Sequence, residues 1–286
     1  MEEFSADISK PMQRFRLVTG NKTYSSWSMR AWLAVKIAAN ESEVDEIKIP
    51  LAGKNATPER KLEVKQYLLE YSPTGKVPAL IDREWGVTVY DSFAIMLHIA
   101  DLYPQAQLLP SHPAARALCY AACSEMHSGF EALRTHWPMN CLATSDGAKN
   151  HGRKTLVDHP AIQQDLARLA ELWTSLRVNT YSLGSSCTIS GGDGDSSAVI
   201  GGSAGRSPRY LFGDCFTLAD CMFAPIALRL RSYDPALSSL ASYPDAQLYV
   251  KNLQSYLLVQ QWVEGAEQEA AESSDWHIDS YDNIAK

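Results

Sequence analysis

The hydrophobic rhythm of the chain changes at Leu109-Pro110, and this change constrains the fold more than any other feature. Upstream of it, short strand-like and helix-like segments alternate. Downstream the strand signals stop, and helical patterns follow one another over Ala114 to Leu142, Ala161 to Tyr181, Leu218 to Tyr233, Ala246 to Tyr256 and Val259 to Ala271. Such a switch implies two unlike units in sequence, and 286 residues suffice for both.

In the first unit, Arg14 to Thr19 reads as a strand and Gly20 to Tyr24 as a turn. Ser25 to Ala39 spaces Trp27, Met29, Trp32, Leu33 and Ile37 as a helix does. Val44 to Ile49 alternates like a strand, and Pro58 to Leu69 follows a Thr57 N-cap with Pro at N1. Ala79 to Ile81 and Val87 to Tyr90 form a hairpin pattern, after which Asp91 or Ser92 caps a helix to about Leu102. The order β-α-β-α-β-β-α is the thioredoxin-like arrangement, its first crossover right-handed. The fold class is therefore α+β, with a thioredoxin-like unit over 12–104 and an all-α unit over 111–272. Within the second unit, Thr217-Leu218-Ala219-Asp220 is a capping box that should nucleate a buried helix. The Gly/Ser-rich stretch at 182–209 is expected to be a disordered insertion, and the tail after Glu272 to be loose.

Charge and composition exclude several function classes. Lys plus Arg number 26 against 33 Asp plus Glu, and the resulting −7 repels a phosphate backbone, so nucleic acid is not an expected partner. The opening MEEFSADISK has acids where a secretory signal needs bases, and the apolar window Cys221 to Leu230 is broken by Pro225 and Arg229. Neither secretion nor a membrane span is expected. Six cysteines form no C-x-x-C pair, which supports no metal and fits a reducing, cytoplasmic setting.

Three short constellations can carry chemistry. In Tyr24-Ser25-Ser26-Trp27-Ser28-Met29-Arg30, a serine sits at the first turn of the first helix, beside unpaired N–H groups and the positive end of the helix dipole. That position stabilises an anion such as a thiolate, and equally suits a plain N-cap. In Gly75-Lys76-Val77-Pro78-Ala79, a proline opens a strand, a place where cis bonds occur and where the Val77 amide and carbonyl can pair with an extended peptide. In Tyr90-Asp91-Ser92-Phe93, a carboxylate and a hydroxyl at a strand-to-helix junction suit the two charges of an amino-acid head.

Taken together in this order, the segments NKTYSSWSMRAWLA, SPTGKVPALID, YDSFAIMLHIADLYP, EMHSGFEALR and YLFGDCFTLADCMFAP resemble the glutathione transferase family, most nearly its serine-type zeta and bacterial maleylacetoacetate isomerase-like members. The resemblance implies glutathione as co-substrate, no metal, a hydrophobic electrophile as second substrate, and a homodimer. It assigns Ser25 the thiolate-stabilising role within a pattern that continues through Ser26, Ser28 and Arg30. It pairs Val77 and a cis Pro78 with the cysteinyl backbone, and Asp91 and Ser92 with the γ-glutamyl end. Lys54 and Lys76 become neighbours of the glycyl carboxylate. Trp27 stands where zeta members carry a cysteine after the serine pair, which weighs against the isomerase reaction itself.

Tyr24, His127, Phe130 and Arg134 are the candidates for the electrophile pocket, the last three at i, i+3 and i+7 of one helix face. The expected activity is a glutathione transferase, or a glutathione-dependent cis-trans isomerase. The alternative is a non-catalytic module that uses the same cleft to bind a ligand or a protein.

Overall fold

The computed structural model describes residues 13–53, 55–182 and 208–278. β1 (Phe15–Gly20) leads through a tight turn into α1 (Ser26–Ala38), then β2 (Val44–Ile49), α2 (Pro58–Leu69), β3 (Ala79–Asp82), β4 (Val87–Tyr90) and α3 (Ser92–Leu102). The sheet order is β2-β1-β3-β4, with β1 parallel to β2 and the other two pairs antiparallel. Side chains alternate across the sheet as a pleat requires. Phe15, Leu17 and Leu80 face a core shared with α1, α3 and the helical half, while Val18, Ile49 and Ala79 face Val64 and Leu68 of α2.

The helical half contains α4 (Pro113–Ser128), α5 (Glu131–His136), α6 (Asp146–Asp158), α7 (Pro160–Ser182), α8 (Leu218–Tyr233), α9 (Pro244–Gln254) and α10 (Leu257–Glu272). α8 is the central post: every one of its residues but Arg231 is buried, so it needs apolar side chains on all faces. Its start is anchored as the capping box predicts. Asp220 accepts hydrogen bonds from the Thr217 amide and hydroxyl, both at 2.8 Å, from the Leu211 amide at 3.2 Å and from the Tyr249 hydroxyl at 2.9 Å.

Four expectations need correction. The helix expected over 114–142 breaks at Gly129-Phe130: a Cβ at Gly129 would lie 2.8 Å from the Glu125 carbonyl oxygen, and Phe130 takes a left-handed φ of 57°. α6 lies in a stretch too polar to show helical periodicity, although Ser145 caps it through the Ala148 amide. The tail is packed as far as Ile278, with a 3-10 turn at Ser274–Trp276. Cys119, Cys123, Cys141 and Cys221 are buried free thiols, but Cys215 is disulfide-bonded, so not every cysteine conforms to the reduced state expected of them. The Gly/Ser stretch lies almost wholly outside the described residues, as does Lys54.

Among the described residues no helix is long and apolar enough to cross a membrane, and no group of three or more His, Cys, Asp or Glu side chains could hold a metal ion.

Candidate functional site

The loop between β1 and α1 is built from polar residues that the fold buries and pairs. Asn21 accepts from the Leu51 amide at 2.6 Å through its side-chain oxygen and donates to the Trp276 carbonyl at 2.9 Å. Lys22 is held at three points. Its amide donates to Glu269 Oε2 at 2.7 Å, its ammonium reaches Glu46 at 2.6 Å, and its carbonyl accepts from the Trp262 indole at 2.8 Å. Burial pushes the Glu269 carboxyl above its ordinary pKa, against the Lys22 amide and the positive charges of Lys22 and Lys48. The Thr23 carbonyl accepts from the Cys141 amide at 3.1 Å. A loop clamped from both halves of the molecule presents the next residues rigidly.

Those residues are Ser25 and Ser26, each 8% exposed. Ser25 is the N-cap of α1: its Oγ accepts from the Ser28 amide at 3.3 Å and donates to Ser28 Oγ at 2.7 Å. Ser28 Oγ also accepts from the Gly20 amide at 3.1 Å. Ser26 Oγ instead accepts from Arg229 Nη2 of α8 at 3.4 Å. Both serines open on a cleft of about 610 Å³, whose wall is completed by Tyr24, Trp27, Leu51, Lys76, Val77 and Ile278. The Val77–Pro78 peptide bond is cis. Ile278 enters from the tail, its amide donating to the Tyr24 hydroxyl at 3.2 Å.

The remaining candidates gather on another side of Trp27. Asp91 caps α3 through the Phe93 and Ala94 amides, and its other carboxylate oxygen lies 3.3 Å from His127 Nε2. The His127 ring meets Trp27 edge-on at 5.1 Å, and the guanidinium carbons of Arg30 and Arg134 lie 4.5 and 5.8 Å from the Trp27 ring centre. Ser92 is buried with its hydroxyl unpartnered, and Phe130 is a core residue rather than a cleft residue. His127 and Arg134 reach Trp27 from two different helices, not from one helix face. Burial, followed by the charges of Arg229 and Arg134, pushes the Arg30 guanidinium down to about 9.

Sequence reasoning missed three participants. Trp27 belongs to both groups and joins them. Arg229 donates to the Trp137 carbonyl at the end of α5 and to the Pro225 carbonyl within its own helix, and also reaches Ser26. Ile278 lay in a tail expected to be loose. Only the first carried a local signal, its position between the serines.

The family model of the glutathione S-transferase N-terminal domain matches residues 24–102, and that of the C-terminal domain matches residues 113–252. Glutathione S-transferase Z2 of Arabidopsis thaliana is 32% identical over 157 residues, which is 54% of this chain and 65% of that protein. A zeta-class glutathione S-transferase of Euphorbia esula is 32% identical over 42% of this chain and 51% of its own length. The matches thus span between half and two thirds of these relatives. Among solved structures, a glutathione transferase homolog from Burkholderia gl BGR1 with bound glutathione shares the fold, with a TM-score of 0.53 and 20% identity over 90% of this chain and all of that one. The nitrogen regulation fragment of the yeast prion protein Ure2p does so at a TM-score of 0.57 and 14% identity, over 89% of this chain and 98% of its own. Because both halves match in order, and the fold agrees along nearly the whole length, this chain belongs to the glutathione S-transferase family.

Proposed function

We propose that the chain is a glutathione transferase, which binds the tripeptide in the cleft at the N-terminus of α1 and presents its sulfur as a thiolate to a hydrophobic electrophile. The observation that carries the reading is the pairing of two serines and a helix N-terminus on one wall of the cleft with Lys76 and Val77 on the same rim. A cysteinyl thiol has a reference pKa of about 8.5, and lowering it by two units stabilises the thiolate by about 2.7 kcal/mol. At neutral pH the reactive species then becomes the major one. The Val77 backbone is suited to the cysteinyl segment, Asp91 and Ser92 to the γ-glutamyl head, and Lys76 to the glycyl carboxylate. Transfer proceeds as the sulfur lone pair forms a bond to the electrophilic carbon while the leaving group departs with its electron pair. Trp27, His127 and Arg134 suit the electrophile side. With Trp27 in place of the zeta cysteine, addition or substitution is favoured over cis-trans isomerisation. The family resemblance carries the further reading of a homodimer.

A second reading is a non-catalytic module that holds a ligand or a protein in the same cleft. It is favoured by the inward turn of the Ser25 hydroxyl toward Ser28. Calorimetry with glutathione, followed by turnover assays with an aryl halide and a maleyl compound, separates the two. Binding with turnover supports the transferase, binding without turnover supports the module, and absence of binding sinks the first reading.

A further inference from the structure

Two guanidinium groups meet at one indole. Arg30, on α1, is 1% exposed, and its Nε and Nη1 donate to no described group. Arg134, on α5, also has a buried Nε that donates to no described group. Their central carbons lie 4.5 and 5.8 Å from the centre of the Trp27 ring. A third guanidinium stands near, that of Arg229 on α8, held by the carbonyls of Trp137 and Pro225 and by Ser26 Oγ. After burial, the positive charges of Arg229 and Arg134 are what lower the Arg30 pKa.

The carboxylate that acts on Arg30 with the opposite sign is Asp91, and it is engaged elsewhere. One of its oxygens accepts from the Phe93 and Ala94 amides, and the other lies 3.3 Å from His127 Nε2. Water accepts an N–H bond but leaves like charges repelling one another, whereas an anion both accepts the bond and offsets the repulsion. Because these N–H groups are enclosed, an anion sheds its hydration on reaching them. That step costs a small, singly charged ion less than it costs sulfate or phosphate.

We propose that Arg30, aided by the field of Arg134, binds a small monovalent anion such as a halide beside Trp27. The bound charge relieves the repulsion among guanidinium groups that arrive from α1, α5 and α8, and so stabilises the packing of those three helices where they converge. No step of this requires glutathione, and the site goes beyond the transferase reading rather than resting on it. Its signature is a folded state whose stability depends on which anion is present, and not only on ionic strength.

The test titrates chloride into the full chain at pH 7, with gluconate, too bulky for the site, holding ionic strength constant, and reads the melting temperature. Binding to the folded state alone should give a saturable rise of about 3 °C at ten times the half-saturating concentration. Arg30→Met should abolish the rise, and Arg134→Met should raise the half-saturating concentration by about tenfold. Crystals soaked in bromide should show an anomalous peak within hydrogen-bond reach of Arg30 Nε or Nη1. If Arg30→Met does not fold, Arg134→Met and the bromide peak still decide the question. The proposal is overturned if the rise does not saturate, if Arg30→Met shows it undiminished, or if bromide leaves Arg30 uncontacted. The chloride rise should persist at saturating glutathione. Its loss there would mean that a carboxylate of the tripeptide takes this place, which also overturns a separate anion site. Failure of glutathione to bind at all counts against the transferase reading alone, because the chloride response is measured without it.

Discussion

The Lys22 amide donates to Glu269 Oε2 at 2.7 Å while the Lys22 ammonium stands 3.5 Å from Oε1, so one buried carboxylate grips both the backbone and the side chain of a loop residue 247 positions away. Breaking a buried pair leaves an uncompensated charge, and the usual cost is about 3 to 5 kcal/mol. Glu46 still neutralises Lys22 at 2.6 Å, which places Glu269→Ala near the lower end, at about 3 kcal/mol. Urea unfolding measures this. The loop amides from Asn21 to Ser25 should also exchange faster with deuterium, and glutathione should bind more weakly. Glu269→Gln, which keeps an acceptor for the Lys22 amide, should show a smaller effect on all three.

α6 and α8 approach each other at Gly152, where an added Cβ would lie 2.1 Å from the Tyr233 carbonyl oxygen. The obstacle is backbone, so no side-chain rotation relieves it. Gly152→Ala is expected to destabilise by about 1 to 3 kcal/mol or more, which differential scanning calorimetry would register as a fall of several degrees. An unchanged melting temperature would mean that the two helices are not in contact at this point.

Asp82, whose carboxylate is buried at the end of β3, joins Arg14 at 3.2 Å and His98 at 3.1 Å. Burial acts to raise its pKa, but the hydrogen bonds of Arg14 and His98 and the charge of Arg14 outweigh that and hold it below the ordinary carboxylate value. A folded-state pKa that is depressed contributes stability above the unfolded value of about 3.9, and that contribution is lost as pH falls through the lowered value. The stability difference between the wild type and Asp82→Asn, measured by denaturant titration, should therefore be larger at pH 6 than at pH 3.

Arg30 is 1% exposed, and its Nε and Nη1 donate to no described group. Its pKa, lowered to about 9, means that the folded protein bears the cost of this buried charge throughout the neutral range, with relief only as pH rises above that value. The cation–π contact with Trp27 returns about 1 to 2 kcal/mol, less than the several kcal/mol that an unpaired buried ion costs. Arg30→Met should thus retain or gain thermal stability at pH 7. A loss of more than about 3 kcal/mol would show that the guanidinium is better compensated than its contacts indicate.

What could be read in the sequence followed from local physical chemistry. The alternation of β2, the Thr57 cap with Pro58, and the Thr217-to-Asp220 box each encode their element within a few residues, and each was legible. α6 was not, because its helix is stabilised by a cap and by contact with α8 rather than by an apolar stripe of its own. The break at Gly129-Phe130 was hidden because the apolar spacing of α4 continues in α5 across a backbone turn. In the site, the serine run and the Asp91-Ser92 junction announced themselves by position. The link from Arg229 to Ser26 spans 203 positions and has no local signature. Nor does Ile278, whose place in the cleft wall depends on how far the tail folds back.

That fold-back places Ile278 beside Tyr24, in the wall of the cleft onto which both serines open. A smaller or larger side chain at position 278 would reshape the opening of that cleft, while the backbone bond from the Ile278 amide to the Tyr24 hydroxyl stays available. The width of that opening is therefore set in part by a side chain that arrives from the far end of the sequence.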